Sequence, residues 1–160
     1  MVLIGEQPGD AEDKAGHPFV GPAGGVLDKA LSDAGINRQE VYVTNAVKHF
    51  KWEPRGRRRI HKKPRVSEIK ACKPWLEAEL ARIGPRVIVC LGTTAVQSLL
   101  GPKVTIASAR NQVLESPYGP VVVTRHPSSV IRLRESHERR AALDELVADL
   151  RRARTLTTKS

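Results

Sequence analysis

Four short segments of this chain carry side chains that can do chemistry. Gly5-Glu6-Gln7-Pro8-Gly9-Asp10 sets a carboxylate and an amide in a sharp turn. It matches neither the phosphate loop GxxxxGK[ST] nor GxGxxG, so nucleotide-cofactor binding is not supported. As a bare pattern it serves equally as a turn made of turn-formers. His17 to Gly24 places Phe19, one of two phenylalanines, among Gly and Pro, either as a platform on which a base stacks or as a plug in the core. Arg57-Arg58-Arg59-Ile60-His61-Lys62-Lys63-Pro64 embeds one imidazole among cations. A neutral histidine there is a competent nucleophile or base; the plainer alternative is a phosphate-binding loop in which His61 is one more polar contact. His126-Pro127-Ser128-Ser129 offers an imidazole and hydroxyls where a helix starts, able to face an oxygen-rich ligand or simply to cap that helix. The two cysteines, Cys72 and Cys90, read as buried thiols.

Positioning these segments falls to alternating strands and helices. Val2 to Gly5 reads as a short buried strand. Leu27, Ala30, Leu31 and Ala34 give one apolar helical face from Gly25 onward, closed by Gly35. Val41 to Val47 is a β-branched and aromatic second strand, and the basic stretch begins as a loop at its carboxyl end. Ser67 caps a helix with Ile69, Cys72, Leu76, Leu80 and Ile83 on one face, kinked or restarted near Pro74. Arg86 to Leu91 is a nearly all-apolar strand, as expected of a parallel strand covered on both faces. Thr93 to Leu100 is a short helix, 104–115 stays open between types, and Val121 to Thr124 is a further strand. Leu133 to Arg154 is a final helix with Leu143, Leu146, Val147 and Leu150 inward. The predicted fold is α/β, a three-layer α/β/α sandwich with a central, mostly parallel sheet. Ligands of such sheets bind at the carboxyl ends of the strands. Gly5–Phe19, Asn45–His61 and His126–Arg132 each follow such an end, so the three converge on one edge. The predicted organisation is a single domain over residues 1–154 with a flexible tail over 155–160.

At 160 residues and 40% hydrophobic content the chain can build one core, which argues against a disordered chain or a disulfide-stapled scaffold. Its longest apolar runs fall far short of the roughly 20 residues a membrane span needs. No secretory leader pattern precedes Val2-Leu3-Ile4, so a cytoplasmic location is expected. The net charge of +10 suggests a polyanionic partner, and its distribution is the sharper clue. Lys48 to Lys73 holds eleven basic and two acidic residues, so nearly all of the excess sits in the stretch that carries His61.

Gly5 to Asp13, Pro18 to Gly24, Val43 to Lys51, Arg58-Arg59-Ile60-His61-Lys62 and His126 to Ser129 occur in the order found in the uracil-DNA glycosylase superfamily. The chain resembles its family-four iron–sulfur enzymes over nearly its whole length and, through Gln7 and the Arg-Arg-Ile-His-Lys segment, the UdgX type. The resemblance implies a uracil-DNA glycosylase-like fold and a monomer that takes uracil out of DNA, preferably single-stranded. It would cleave the N-glycosidic bond and stay covalently attached to the deoxyribose. Phe19 would stack on uracil, Asn45 would hydrogen-bond its edge, and Gln7 and Asp10 would line the pocket. His126 would stabilise the departing base, Glu6 the electron-poor sugar, and His61 would attack C1′. Lys48, Arg57, Arg58, Arg59, Lys62, Ser128 and Ser129 would contact DNA. The resemblance also implies a 4Fe-4S cluster on four cysteines. Two of those belong to a Cys-x-x-Cys pair ahead of the first strand, where this chain begins. Of the other two, one corresponds to Cys72 and one falls at His49, so no intact cluster is expected. Two other functions stay open: a conventional hydrolytic glycosylase that releases uracil and leaves an abasic site, and a non-catalytic DNA-binding domain using Lys48 to Lys73.

Overall fold

The computed structural model describes residues 1–159. Its centre is a five-stranded sheet in the order β2-β1-β5-β7-β6, formed by β1 (Val2–Gly5), β2 (Tyr42–Asn45), β5 (Ile88–Leu91), β6 (Val113–Ser116) and β7 (Gly119–Thr124). All pairs are parallel except β6 with β7. Register explains the two-faced core. Leu3, Val89 and Val122 align across the sheet and pack with Leu27, Leu31, Leu146 and Leu150 on one face. Val2, Ile88 and Val121, with Ile4, Cys90 and Val123, pack with Leu76, Leu80 and Val96 on the other. Successive strand residues point to opposite faces, so each short strand must be apolar throughout to seat helices on both.

Helices α2 (Pro22–Asp33) and α7 (Ser136–Thr158) cover the first face; α3 (Val66–Ile83), α4 (Thr93–Leu100) and α5 (Ile106–Ala109) cover the second. Short helices α1 (Asp10–Ala15) and α6 (Ser128–Ile131) sit at the carboxyl edge of the sheet. Strand β1 runs to β2 on one side, and the chain then returns to β5 on β1's other side. The switch point where such sheets leave a crevice thus lies just beyond Gly5 and Leu91.

Several sequence expectations change. The basic stretch is no open loop: β3 (Trp52–Arg55) and β4 (Arg58–His61) form an antiparallel hairpin. Gly56, with φ of 61°, begins its two-residue connection, a left-handed position that glycine fills without penalty. The Glu6–Gly25 segment contains α1, whose end is closed by Gly16 in the left-handed region. Helix α3 runs unbroken through Pro74, and its N-cap is Arg65, where Glu68 accepts the backbone N–H, rather than Ser67. The open region 104–115 resolves into α5 and the start of β6. Residues 155–158 of the expected tail continue α7, and residue 160 lies outside the described residues.

Candidate active site

A cleft of about 790 Å³ opens at the switch point, lined by Glu6, His61, Thr94, Arg125 and His126 among others. Glu6 follows β1 directly, and its Oε1 lies 3.0 Å from Nε2 of His61. Its other oxygen accepts a hydrogen bond from the Thr94 hydroxyl. Burial alone would push the Glu6 carboxyl up, but hydrogen bonds from His61 and Thr94 outweigh it and hold the group below its ordinary value. An ionised carboxylate only accepts, so in this arrangement Nε2 of His61 carries a hydrogen.

His126, two residues beyond β7, is built to stay neutral. Its Nδ1 faces the backbone N–H of Ser128 at 3.1 Å and the Ser128 hydroxyl at 2.8 Å. A backbone amide can only donate, so Nδ1 accepts and Nε2 holds the ring hydrogen. Burial, with a lesser contribution from Arg132, lowers the pKa of His126 to about 4 despite the opposing pull of Glu6. The ring stacks on Phe19 with centroids 5.7 Å apart. A Cβ on Gly92, whose φ is 94°, would come within 2.9 Å of the His126 Cβ, so only glycine lets β5 end this close to it.

Asn45 ends β2, opposite Gly5 in the register. Its side chain is buried, and Oδ1 has no hydrogen-bond partner among the described residues. Phe19, itself buried, packs beside it: a Cβ at Gly5 would lie 2.5 Å from Asn45 Oδ1 and 2.7 Å from the Phe19 ring. Phe19 is thus both the core plug and a neighbour of the cleft histidine, and its φ of 54° places it in the left-handed region. It lines a separate hollow of about 660 Å³ with Val20, Arg38 and Val43.

Other expected site residues have different employment. Gln7 lines the cleft but spends its amide on the hairpin: Nε2 donates to the carbonyls of Lys51 (3.2 Å) and Lys62 (3.1 Å), and Oε1 accepts from Lys51 N–H (3.3 Å). Asp10 pairs with Lys14 at 2.9 Å and Arg59 at 2.6 Å, and the first of these contacts holds its carboxyl below the usual range. Arg59, expected on DNA, also binds Asp13 at 2.8 Å and lies over the rings of Phe50 and Trp52. Lys48, likewise expected on DNA, is bound to Glu79 and Thr44. Ser129 donates to the His126 carbonyl at 2.7 Å, and Ser128 is committed to the His126 ring. Arg57 and Arg58 are exposed with no ion-pair partner among the described residues, and exposed Lys62 has only a 3.9 Å contact with Glu53.

A model of the Uracil DNA glycosylase superfamily matches residues 1–151. The chain belongs to this superfamily. It is 38% identical over 148 residues to the type-4 uracil-DNA glycosylase of Thermotoga maritima, an alignment covering 91% of this chain and 73% of that protein. It is 35% identical over 149 residues to the type-4 enzyme of Archaeoglobus fulgidus, covering 86% and 71%. A type-5 uracil-DNA glycosylase of Pyrobaculum aerophilum is 32% identical over 171 residues, covering 96% and 70%.

The iron–sulfur cluster implied by resemblance to family-four enzymes finds a poor fit in this donor set. Cys72 is buried, with its Sγ accepting from Lys48 N–H at 3.5 Å, while neighbouring His49 is exposed. Cys90 is fully buried among apolar side chains on the second face of the sheet, in a different core cluster from Cys72, where burial pushes its thiol up to about 12. Among the described residues no three His, Cys, Asp or Glu side chains converge as the ligands of a four-ligand cluster would. Sequence reasoning missed Thr94 and Arg125 in the cleft; Arg125 directly follows the end of β7, which is the signal that marks it, whereas Thr94 lies beyond the Gly92-Thr93 turn after β5.

Proposed function

We propose that this chain recognises uracil in DNA, preferably single-stranded and as a monomer, cleaves its N-glycosidic bond and captures the deoxyribose on His61, as in the UdgX type. The observation that carries the reading is the Glu6–His61 contact at 3.0 Å, in the same cleft as a neutral His126. A base inside a duplex is out of reach, and extruding it costs a few kcal/mol that single-stranded DNA largely avoids. The unpartnered Oδ1 of buried Asn45 suits the N3–H of uracil. As the C1′–N1 bond breaks, its electron pair leaves on the base, where the Nε2–H of His126 stabilises the growing negative charge. Glu6, ionised, stabilises the electron-poor sugar. A lone pair of the His61 imidazole then forms the bond to C1′, and the ring hydrogen of the resulting imidazolium passes to Glu6. A tethered imidazole has the high effective concentration of an intramolecular nucleophile and outcompetes water.

The test is incubation with uracil-containing single-stranded DNA followed by denaturing electrophoresis. A denaturant-resistant adduct is expected from the wild type, and free uracil without adduct from His61→Ser. Free uracil and an abasic strand from the wild type would make the chain a hydrolytic glycosylase. Equal binding of DNA with and without uracil, and no cleavage, would make it a binding module. An adduct from His61→Ser would remove His61 as nucleophile.

A further inference from the structure

We propose that Thr94 is the positioning residue of this cleft: by donating its hydroxyl hydrogen to one carboxylate oxygen of Glu6, it fixes the plane of the carboxylate and so holds the other oxygen on His61. The proposal rests on the reading of Glu6 given above. The two oxygens of Glu6 face different worlds. Oε1 meets His61, whose side chain is 49% exposed and which rides on the hairpin. Oε2 meets Thr94, which is 2% exposed and sits in the first turn of α4.

Thr94 is anchored in the core rather than at the surface. Its neighbours Ala95, Val96 and Ser98 are buried, the Val96 N–H donates to the Gly92 carbonyl at 3.2 Å, and the Gly92 N–H donates to the Thr124 carbonyl at 3.0 Å. That last bond ties α4 to the strand that delivers His126. His61, by contrast, has no side-chain hydrogen-bond partner other than Glu6 among the described residues. The hydroxyl of Thr94 therefore passes the rigidity of the sheet to Glu6, and Glu6 passes it to an exposed ring. Without that hydroxyl Glu6 keeps its burial but loses the one contact that comes from a fixed element, and its carboxylate turns with the hairpin. Hydrogen bonding to the ionised form favours it, so losing this bond also makes Glu6 easier to protonate. The charged or titratable groups that face Glu6 are His61 from β4 and His126 beyond β7; Lys63, Arg125, Arg132 and Glu12 line the remainder of the cleft.

The experiment compares Thr94→Val, Thr94→Ala and Thr94→Ser with wild type. Three quantities are read: single-turnover uracil release from saturating single-stranded uracil-DNA, equilibrium affinity for that DNA, and the ¹³C titration of the Glu6 carboxyl in DNA-free protein. Thr94→Val and Thr94→Ala are expected to slow release about 10- to 100-fold, leave affinity unchanged and move the Glu6 titration to higher pH. Thr94→Ser restores all three. In a Glu6→Gln background Thr94→Val slows release no further. An unmoved Glu6 titration, a serine variant as slow as valine, or additive losses in the Glu6→Gln background would each overturn the proposal. The carboxyl titration needs no turnover, so the proposal is tested even if wild-type protein releases no uracil, an outcome that would instead remove the glycosylase reading.

Discussion

Glu6, Asn45 and His126 stand at or just beyond the ends of parallel strands whose residues are mostly buried, whereas His61 and Arg57 to Arg59 ride on a hairpin whose own residues are mostly exposed. The first group is placed by apolar packing on two faces of a sheet. The second is placed by polar clamps: three hydrogen bonds from Gln7, ion pairs from Asp10 and Asp13 to Arg59, and a pair between Lys51 and Glu68 at 2.9 Å. On the function proposed above, bond cleavage would depend on the half packed into the core, and capture of the sugar on the half held by polar clamps, the kind of element that opens locally at lower cost. The two activities should separate under mutation.

The largest effect is expected on the sheet side. His126→Gln should slow uracil release about 100- to 1,000-fold in single-turnover assays while the hairpin still protects its backbone amides from exchange. Gly24→Ala should also strike that side, because the added Cβ would sit 1.9 Å from the Phe19 carbonyl oxygen. A loss of about 3 kcal/mol in urea unfolding is expected, and an unchanged midpoint would show that the Phe19 turn is not fixed as described. Gln7→Ala tests the clamp: removing three hydrogen bonds should cost about 2 kcal/mol, release the hairpin to proteolysis and lower adduct yield more than uracil release. Equal losses of both would erase the division between the halves. On the hairpin, Arg57→Ala and Arg58→Ala should each reduce the slope of log affinity against log salt by about 0.9. Arg59→Ala, whose charge is already met by two aspartates, should reduce it less.

A separate effect is one of pH. His126 has an ordinary value of 6.5 and a folded value of about 4, so between them the unfolded chain binds more protons. Stability should therefore fall as pH drops from 6.5 toward 4, and His126→Gln should flatten that part of the profile in thermal melts.

Apolar patterning made most of the sheet legible, because strands covered on both faces must read as continuous Val, Ile and Leu. It also put Glu6, His61 and His126 on one edge, which the cleft bears out in space. The hairpin escaped because Trp52 to Arg55 and Arg58 to His61 have no apolar face for a periodicity to reveal; Gly56 before Arg57 was the one turn signal. The resemblance implied ligand contacts for Gln7, Asp10, Arg59 and Lys48, and each also has an intramolecular partner reached across 31 to 55 residues of sequence. Such pairings follow from tertiary placement and leave no local trace. Thr94 was invisible for the same reason: nothing in Gly92-Thr93-Thr94 says that β5 ends beside β1.

The ion pairs that quiet Lys48, Lys51 and Arg59 leave the hairpin tip, Arg55, Arg57 and Arg58, with charge that faces only solvent, as does that of Lys63, Arg65 and Lys70 further along the basic stretch. A charge set at the end of a protruding arm exerts a torque on the whole molecule in the field of a polyanion. The first collision with a nucleic acid is then not random in orientation: the tip leads, and the cleft arrives behind it already turned toward the strand. Association should quicken at low salt through this alignment. The bond-breaking step, set among half-buried groups of the cleft, should feel the salt much less.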